Sequence, residues 1–220
     1  MRRISGPTCL LSLVLVASAA CSSPSPSPSA TTAPAQGDAT APAKPEHGRT
    51  SDAATLPAAD GVAYFAGGCF WGVEHYMQQL PGVLTVESGY MGGHVDSPTY
   101  EQVSSHGSGH LEAVEVRFDP AKISYEAVAK RFFEIHDPTQ ADGQGPDIGS
   151  QYLSAVFYTS PEQQQTTEAL IEQLKARGYA VVTAVRPAER FWKAEAYHQD
   201  YYASNGKTPY CHSRVKRFGD

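Results

Sequence analysis

The chain is poor in cysteine, in positive charge and in long apolar runs, and each shortage removes a class of function. Four cysteines stand among 220 residues, at positions 9, 21, 69 and 211. No two of them form C-x-x-C, the spacing usual in disulfide-exchange proteins. Lys and Arg number 17 against 23 Asp and Glu, a net charge of −6, which gives no sign of nucleic-acid binding. The apolar run from Cys9 to Ala17 is too short to span a bilayer permanently. From Ser22 to about Ala59 large apolar side chains are almost missing, and Ser, Pro, Ala and Thr take their place. Such a segment cannot bury enough surface to offset chain entropy, so residues 22–59 are expected to be an extended, disordered tether.

The N-terminus has the layout of an export signal. Arg2 and Arg3 precede the apolar run, and the small residues Ser18, Ala19 and Ala20 lead to Cys21. Residues 1–21 are similar to a bacterial lipoprotein signal, in which Cys21 becomes the lipidated first residue. Ser18 stands where such signals usually carry an aliphatic, and cleavage near Ala19 or Ala20 by an ordinary signal peptidase is the alternative. The expectation is an exported protein, lipid-anchored to the outer face of a bacterial cell membrane. The tether gives reach to a folded domain over residues 60–220, with a monomer as the default.

Within that domain the chain is organised around Gly67 to Gly72, G-C-F-W-G preceded by a second glycine. The apolar run Val62 to Ala66 reads as a buried strand. Phe70, Val73, Met77 and Leu80 recur at helical spacing until Pro81 and Gly82. Cys69 therefore falls at a strand-to-helix turn, where free N–H groups and the helix dipole favour thiolate over thiol. Gly67 and Gly68 allow a sharp turn. Phe70 and Trp71 put two large apolar faces beside a nucleophile, suited to a small apolar group on a reactive atom. A buried cysteine acting as a small hydrophobe is the alternative.

Val83 to Ser88 reads as a strand, and Gly89 to Gly109 as a Gly-rich loop containing S-P-T-Y. L-E-A-V-E-V-R-F-D alternates as a strand, with Val114, Val116 and Phe118 on one face and Glu115 and Arg117 on the other. Glu112 shares the apolar parity. If the strand has begun by then, its carboxyl points inward and desolvation keeps it protonated near neutrality; if not, it is a solvated loop carboxylate. A helix is predicted from Ser124 to His136 and a strand from Tyr152 to Tyr158. The order β-α-β-β-α-β predicts an α+β fold, a two-layer ferredoxin-like (split βαβ) sandwich. A further helix starts at a Ser160–Gln163 capping box with Pro161 at its first position and ends at Gly178. Ala180 to Val185 reads as one more strand. Phe191 to Ala203 reads as partly helical, before an irregular tail, N-G-K-T-P-Y-C-H, which carries Cys211.

In an exported protein Cys69 and Cys211 could form a structural staple. A mobile tail is a poor place for a staple and a good one for a thiol that resolves a sulfenic acid. Two other classes compete: a thiol peroxidase or disulfide-exchange protein using the same pair, and a metal-binding module using His106, His110, Cys69 and Cys211. H-G-S-G-H has ligand-like spacing, but no second close pair supports it.

G-C-F-W-G, P-T-Y-E-Q-V, G-H-L-E-A-V-E-V, H-D-P-T-Q, D-I-G-S-Q-Y and A-E-A-Y-H-Q-D-Y follow one another with sensible gaps. Together they resemble the A-type peptide methionine sulfoxide reductases, over Val62 to about Cys211. The resemblance implies a catalytic Cys69, with Phe70 and Trp71 enclosing the S-methyl group of the substrate. It implies a proton-donating Glu112, hydroxyls of Tyr100 and Tyr152 on the sulfoxide oxygen, a polar pocket residue at Asp147 and a resolving Cys211. The substrate class is methionine S-sulfoxide in peptides and proteins; no cofactor and no metal are required, and the reductant is thioredoxin or an extracytoplasmic thioredoxin-like protein. The sequence departs from the family in D-G-Q-G, where N-R-Q-G is usual, in V-S-S-H-G-S-G, which lacks a cysteine found in many members, and in a tail with one cysteine where some have two.

The chemistry also follows without the name. A sulfoxide is a poor electrophile until its oxygen is protonated or strongly hydrogen-bonded. A thiolate therefore needs an acid and fixed donors beside it. Loss of the thioether leaves a sulfenic acid, which a second thiol converts to a disulfide.

Overall fold

The computed structural model describes residues 60–219. The expected signal at 1–21, with Cys21, and the tether at 22–59 lie outside the described residues. In chain order the strands are β1 (Gly61–Gly67), β2 (Val83–Met91), β3 (Leu111–Phe118), β4 (Gly143–Gln144), β5 (Asp147–Ile148), β6 (Ser154–Tyr158), β7 (Ala184–Pro187) and β8 (Trp192–Lys193). The helices are α1 (Phe70–Gln78), α2 (Tyr100–Ser104), α3 (Tyr125–Ile135), α4 (Pro161–Ala176) and α5 (Tyr201–Asn205). Single 3-10 turns cover Ser150–Tyr152 and Ala196–His198.

Six strands form one sheet in the order β7-β6-β1-β3-β2-β8, and β4 and β5 make a separate small hairpin. The pairs β1–β3, β1–β6, β2–β3 and β2–β8 are antiparallel, and β6–β7 is parallel. The molecule is thus α+β with a central mixed sheet. The period of two sorts its faces. Phe65, Val86, Val114, Val116 and Val156 share a core with Phe70, Val73 and Met77 of α1, Phe132 of α3 and Leu170 of α4. The opposite face carries a smaller cluster of Ala66, Met91, Leu111, Ala113, Ala155 and Phe157, covered by Phe191 and neighbouring loop residues.

Several expectations need correction. β2 does not stop at Ser88: Gly89, Tyr90 and Met91 continue to pair with Ala113, Glu112 and Leu111. The Gly-rich loop contains a helix, α2. Thr99 caps it by accepting from the Gln102 N–H, while the Gln102 side chain accepts from the Thr99 N–H. Tyr152 closes a 3-10 turn and does not open the next strand. The strand expected at 180–185 begins only at Ala184, opposite Ala155, because β6 itself starts at Ser154; before that, the Val182 N–H bonds the Pro138 carbonyl. Only half of the expected capping box at α4 forms: Ser160 accepts from the Gln163 N–H, but the Gln163 side chain caps Thr159.

The C-terminal segments are held rather than loose. β8 adds to the β2 edge, and the Gln199 amide extends that edge by bonding both the N–H and the carbonyl of Ser88. The tail beyond Cys211 satisfies the free carbonyls at the end of α3. Val215 N–H donates to Glu134 O at 2.7 Å, and Arg217 Nη1 donates to Phe133 O at 3.0 Å. Phe132 O accepts from the ring of His136 at 2.7 Å. Phe218 is buried and meets Phe133 edge-on. The mobile tail expected around Cys211 is therefore a docked segment, drawn in by helix carbonyls that would otherwise be unpaired.

Truncating a buried Phe typically costs about 3 kcal/mol or more. Phe218→Ala should accordingly lower unfolding stability by about 3 kcal/mol, read as a shifted urea midpoint at constant slope. A change within about 0.5 kcal/mol, typical of exposed sites, would show that the tail is not packed in solution.

Candidate active site

The turn around Cys69 is shaped by what its glycines leave out. β1 ends at Gly67, and Gly68 takes φ +95, where a side chain would be strained and would collide with Gln144. Cys69 then caps α1, its carbonyl accepting from the N–H of Gly72 at 3.1 Å and of Val73 at 3.4 Å. Its side chain is 7% exposed, and Cys211, 8% exposed, comes against it from the tail. Both are free thiols. The two sulfurs and a carboxylate oxygen of Asp147 all lie within 4.8 Å of one another.

This neighbourhood reverses one expectation. The hydrogen bond with Cys211, then burial, then the second sulfur's charge push the Cys69 thiol up, and Asp147 adds to them. The Trp71 N–H pulls the other way without prevailing. A helix N-terminus alone favours thiolate; a buried partner sulfur outweighs it, and the resting form is the thiol.

Glu112 is placed by strand pairing. Because Tyr90 and Met91 still pair with it, β3 has begun by Leu111, and Glu112 points toward α1 with the apolar set. It is 2% exposed, and its Oε2 accepts from the Phe70 N–H at 3.0 Å. Burial first, then the charge of Cys69, raise its carboxyl well above the ordinary range; the Phe70 N–H opposes this, and Asp147 adds to the rise. The side chain is held with its carboxyl shifted toward the neutral form, bonded to the N–H of the residue that follows Cys69.

The hydroxyl and aromatic residues close around this pair. Tyr100 opens α2, and its N–H donates to Glu195 Oε1 at 2.9 Å. Burial raises its phenol, followed by the charges of Glu112 and Cys69. Tyr152, at the end of its 3-10 turn, is raised by burial and then by Glu112 and Tyr100, while Gln151 lowers it. The Asp147 carboxylate accepts from Tyr210 OH at 2.9 and 3.1 Å. Phe70 is buried, its ring 5.9 Å from Tyr90 and 5.0 Å from His198. Trp71 is half-buried and stacks on Tyr201 at 3.7 Å and 7°. Cys69, Glu112, Tyr100, Tyr152, Asp147, Cys211, Phe70 and Trp71 thus converge on one end of the sheet.

Residue-type reasoning singled out neither Glu195 nor His198, although both stand in A-E-A-Y-H-Q-D-Y. Glu195 accepts from Tyr90 OH at 2.8 Å as well as from the Tyr100 N–H. Burial alone would raise its carboxyl, but its own backbone N–H, followed by the Tyr100 and Tyr90 donors, prevails and leaves it lowered. His198 Nδ1 accepts from the Trp71 indole N–H at 3.1 Å, and burial holds the ring neutral. An acid and a histidine three apart on a 3-10 turn share a face, which is the signal available in the sequence. Conversely, His106 and His110 have local roles. His106 bonds Gln151 at 2.7 Å, and both ring nitrogens of His110 are engaged, by the Gly93 N–H and the Val95 carbonyl. The pattern H-G-S-G-H therefore builds no metal cage with the thiols.

The protonation of Glu112 has a measurable sign. Between the ordinary carboxyl value of 4.5 and its raised value, the folded state keeps a proton that the unfolded chain has lost, so its contribution to stability is lost as pH rises through that window. Glu112→Gln keeps an acceptor for Phe70 and removes this cost. Its stability relative to the unsubstituted protein should rise between pH 4 and pH 8, as read by urea midpoints. An equal difference at both pH values would mean that Glu112 ionises normally.

The comparisons with known proteins agree with this geometry. A family model described as peptide methionine sulfoxide reductase matches residues 61–220. Similar sequences include the peptide methionine sulfoxide reductases MsrA of Haloquadratum walsbyi, 49% identical over 68% of this chain and 87% of that one, and of Deinococcus radiodurans, 48% identical over 74% and 81%. Among solved structures, reduced Mxr1 of Saccharomyces cerevisiae matches with a TM-score of 0.67 at 32% identity, covering 70% of this chain and 92% of that one. Methionine sulfoxide reductase A of Corynebacterium diphtheriae matches with a TM-score of 0.62, also at 32% identity, over 69% and 78%. With a family model spanning the described domain and relatives near half identical, the chain belongs to the peptide methionine sulfoxide reductases of the A type, oxidoreductases acting on peptide methionine (S)-S-oxide.

Proposed function

We propose that this domain reduces methionine S-sulfoxide in exported peptides and proteins through a Cys69 sulfenic acid and a Cys69–Cys211 disulfide. The observation that carries the reading is the cluster of two free, buried thiols and Asp147, beside a buried Glu112 bonded to the N–H next to Cys69. The Glu112 acid and the hydroxyls of Tyr100 and Tyr152 hold the sulfoxide oxygen and take up its developing charge. Cys69 attacks the sulfur; the oxygen then passes across, so that a Cys69 S–O bond forms, the substrate S–O bond and the transient Cys69–substrate S–S bond break, and the thioether departs, with Phe70 and Trp71 around its methyl group. Oxygen and the thiol proton remain on Cys69 as the sulfenic acid. A raised Cys69 thiol suits this order of events, since its proton is released only as the substrate oxygen accepts one. Asp147, hydrogen-bonded to Tyr210, is the polar wall beside the two sulfurs.

Cys211 then displaces the oxygen as water, and thioredoxin or a thioredoxin-like dithiol outside the cytoplasm reduces the disulfide. The order β6-β1-β3-β2, antiparallel throughout, supports reading the domain at 60–220 as a ferredoxin-like split βαβ core extended by α4, β7 and the C-terminal segments. Residues 1–21 act as the export signal, lipid on Cys21 holds the chain at the outer face of the membrane, and residues 22–59 give the domain reach to oxidised proteins.

Two measurements test these assignments. Cys211→Ser should release about one methionine per enzyme without added reductant and then stall in a thioredoxin-driven assay, with Cys69 labelled by a sulfenic-acid reagent. Sustained turnover at the unsubstituted rate would remove Cys211 from recycling. In detergent partitioning, the full chain should follow the detergent phase and Cys21→Ser the aqueous phase; equal aqueous recovery of both would count against an anchor.

A further inference from the structure

His212 follows the resolving cysteine and lies against the catalytic turn. Its Nε2 is 2.7 Å from the Gly67 carbonyl, and its Nδ1 is 3.0 Å from Cys211 Sγ. A carbonyl can only accept, so Nε2 carries the ring proton and Nδ1 presents a free lone pair to the thiol. The ring is 4% exposed, and burial lowers its pKa from the ordinary 6.5 against the smaller, opposite pulls of the Gly67 carbonyl and Asp147. It therefore stands neutral at physiological pH, the form in which Nδ1 can receive a proton.

The catalytic turn is cut to admit this ring. A Cβ at position 72 would collide with His212 Nδ1, and a Cβ at Gly68 would come within 3.3 Å of its Cε1. Tyr76 OH reaches the His212 carbonyl at 3.4 Å and fixes the backbone from the α1 side. The titratable groups around the ring are Cys211 with the Cys69 thiol beyond it, Asp147 of β5, His136 at the end of α3 and Tyr76 of α1. Of these, Cys211 alone has a hydrogen-bond donor on Nδ1.

We propose that His212 is the general base of the resolving step, taking the Cys211 thiol proton on Nδ1 as that sulfur attacks the Cys69 sulfenic acid. The inference rests on the sulfoxide-reduction reading above. The Cys211–Cys69 sulfur bond forms and the Cys69 S–O bond breaks. The departing hydroxide takes up a proton and leaves as water, and His212 returns its proton to solvent. The net change is sulfenic acid plus thiol giving disulfide plus water. The Nε2–H bond to Gly67 holds the ring in the required tautomer throughout.

The test is a single turnover of the reduced full chain with a blocked methionine sulfoxide peptide, quenched by acid and alkylation. Chromatography reads methionine release, and mass spectrometry reads the Cys69–Cys211 disulfide. His212→Gln can keep an N–H on Gly67 while losing Nδ1. It should still release one methionine per enzyme, with disulfide formation slowed about 100-fold or more. The rate of disulfide formation in the unsubstituted chain should fall in acid as His212 is protonated, below about pH 6.5. That limb should vanish in the variant. Added imidazole should speed disulfide formation in His212→Ala. A disulfide rate in His212→Gln equal to the unsubstituted one, or a slow His212→Ala that imidazole leaves slow, overturns the assignment. If both variants misfold, the unsubstituted profile decides, and the lack of an acid limb overturns it. Failure of the unsubstituted chain to release methionine would instead overturn the reduction reading itself.

Discussion

The hydrogen bond from the Phe70 N–H to Glu112 is the constraint on which the site depends. It joins the first turn of α1 to β3, and so relates Cys69 on one element to the buried carboxyl of Glu112 on another. A carboxylate buried this deeply with a single N–H partner would be costly, and protonation relieves that cost. The group is therefore kept as an acid by where it sits. Pairing of Tyr90 and Met91 with the start of β3 maintains that position, because a strand beginning two residues later would release Glu112 into the loop.

Neutrality extends to most buried titratable groups near the turn. Burial lowers His136 to about 3, lowers His198 and His212, and raises Glu112. Cys69 is raised by Cys211 and burial together. Each neutral ring consequently has one donor and one acceptor nitrogen, and hydrogen bonds decide which is which. His136 donates to Phe132 O and accepts from Ser154, whose hydroxyl is bonded in turn to Thr183. Glu195 is the counter-example, its carboxyl lowered by its own backbone N–H and by the donors of Tyr100 and Tyr90, both of which it fixes. A buried setting of fixed donors is the setting in which developing charge on a substrate oxygen is most strongly stabilised.

The C-terminal third closes the site, starting from the β8 edge of the sheet. β8 and Gln199 attach one stretch to the β2 edge, which brings His198 to Trp71 and Tyr201 onto its face. The tail then crosses to the end of α3, whose carbonyls hold it, and on the way sets Cys211 and His212 against Gly67 and Cys69. Glycine at 67, 68 and 72 makes the approach possible, since a side chain at any of the three would meet Phe132, Gln144 or His212.

By itself the sequence determined whatever depends on local period and local chemistry. The strand before G-C-F-W-G, the cap position of Cys69, the inward parity of Glu112 and the helices from Tyr125 and Pro161 all follow from spacing and capping residues. The T-x-x-Q box that opens α2 was equally local, but it lay inside a stretch whose glycines read as loop. Tertiary structure decided what depends on partners distant in the chain. β2 runs to Met91 and β7 starts at Ala184 because their neighbours in the sheet end and begin there. Cys69 rests as a thiol because a sulfur 142 positions later arrives beside it, a contact no helix-terminus argument contains. The tail looked mobile from its Gly and Pro content and is docked, because unpaired carbonyls at the end of α3 bind it. Hydrogen-bond demand and burial act through space, and a one-dimensional pattern records neither.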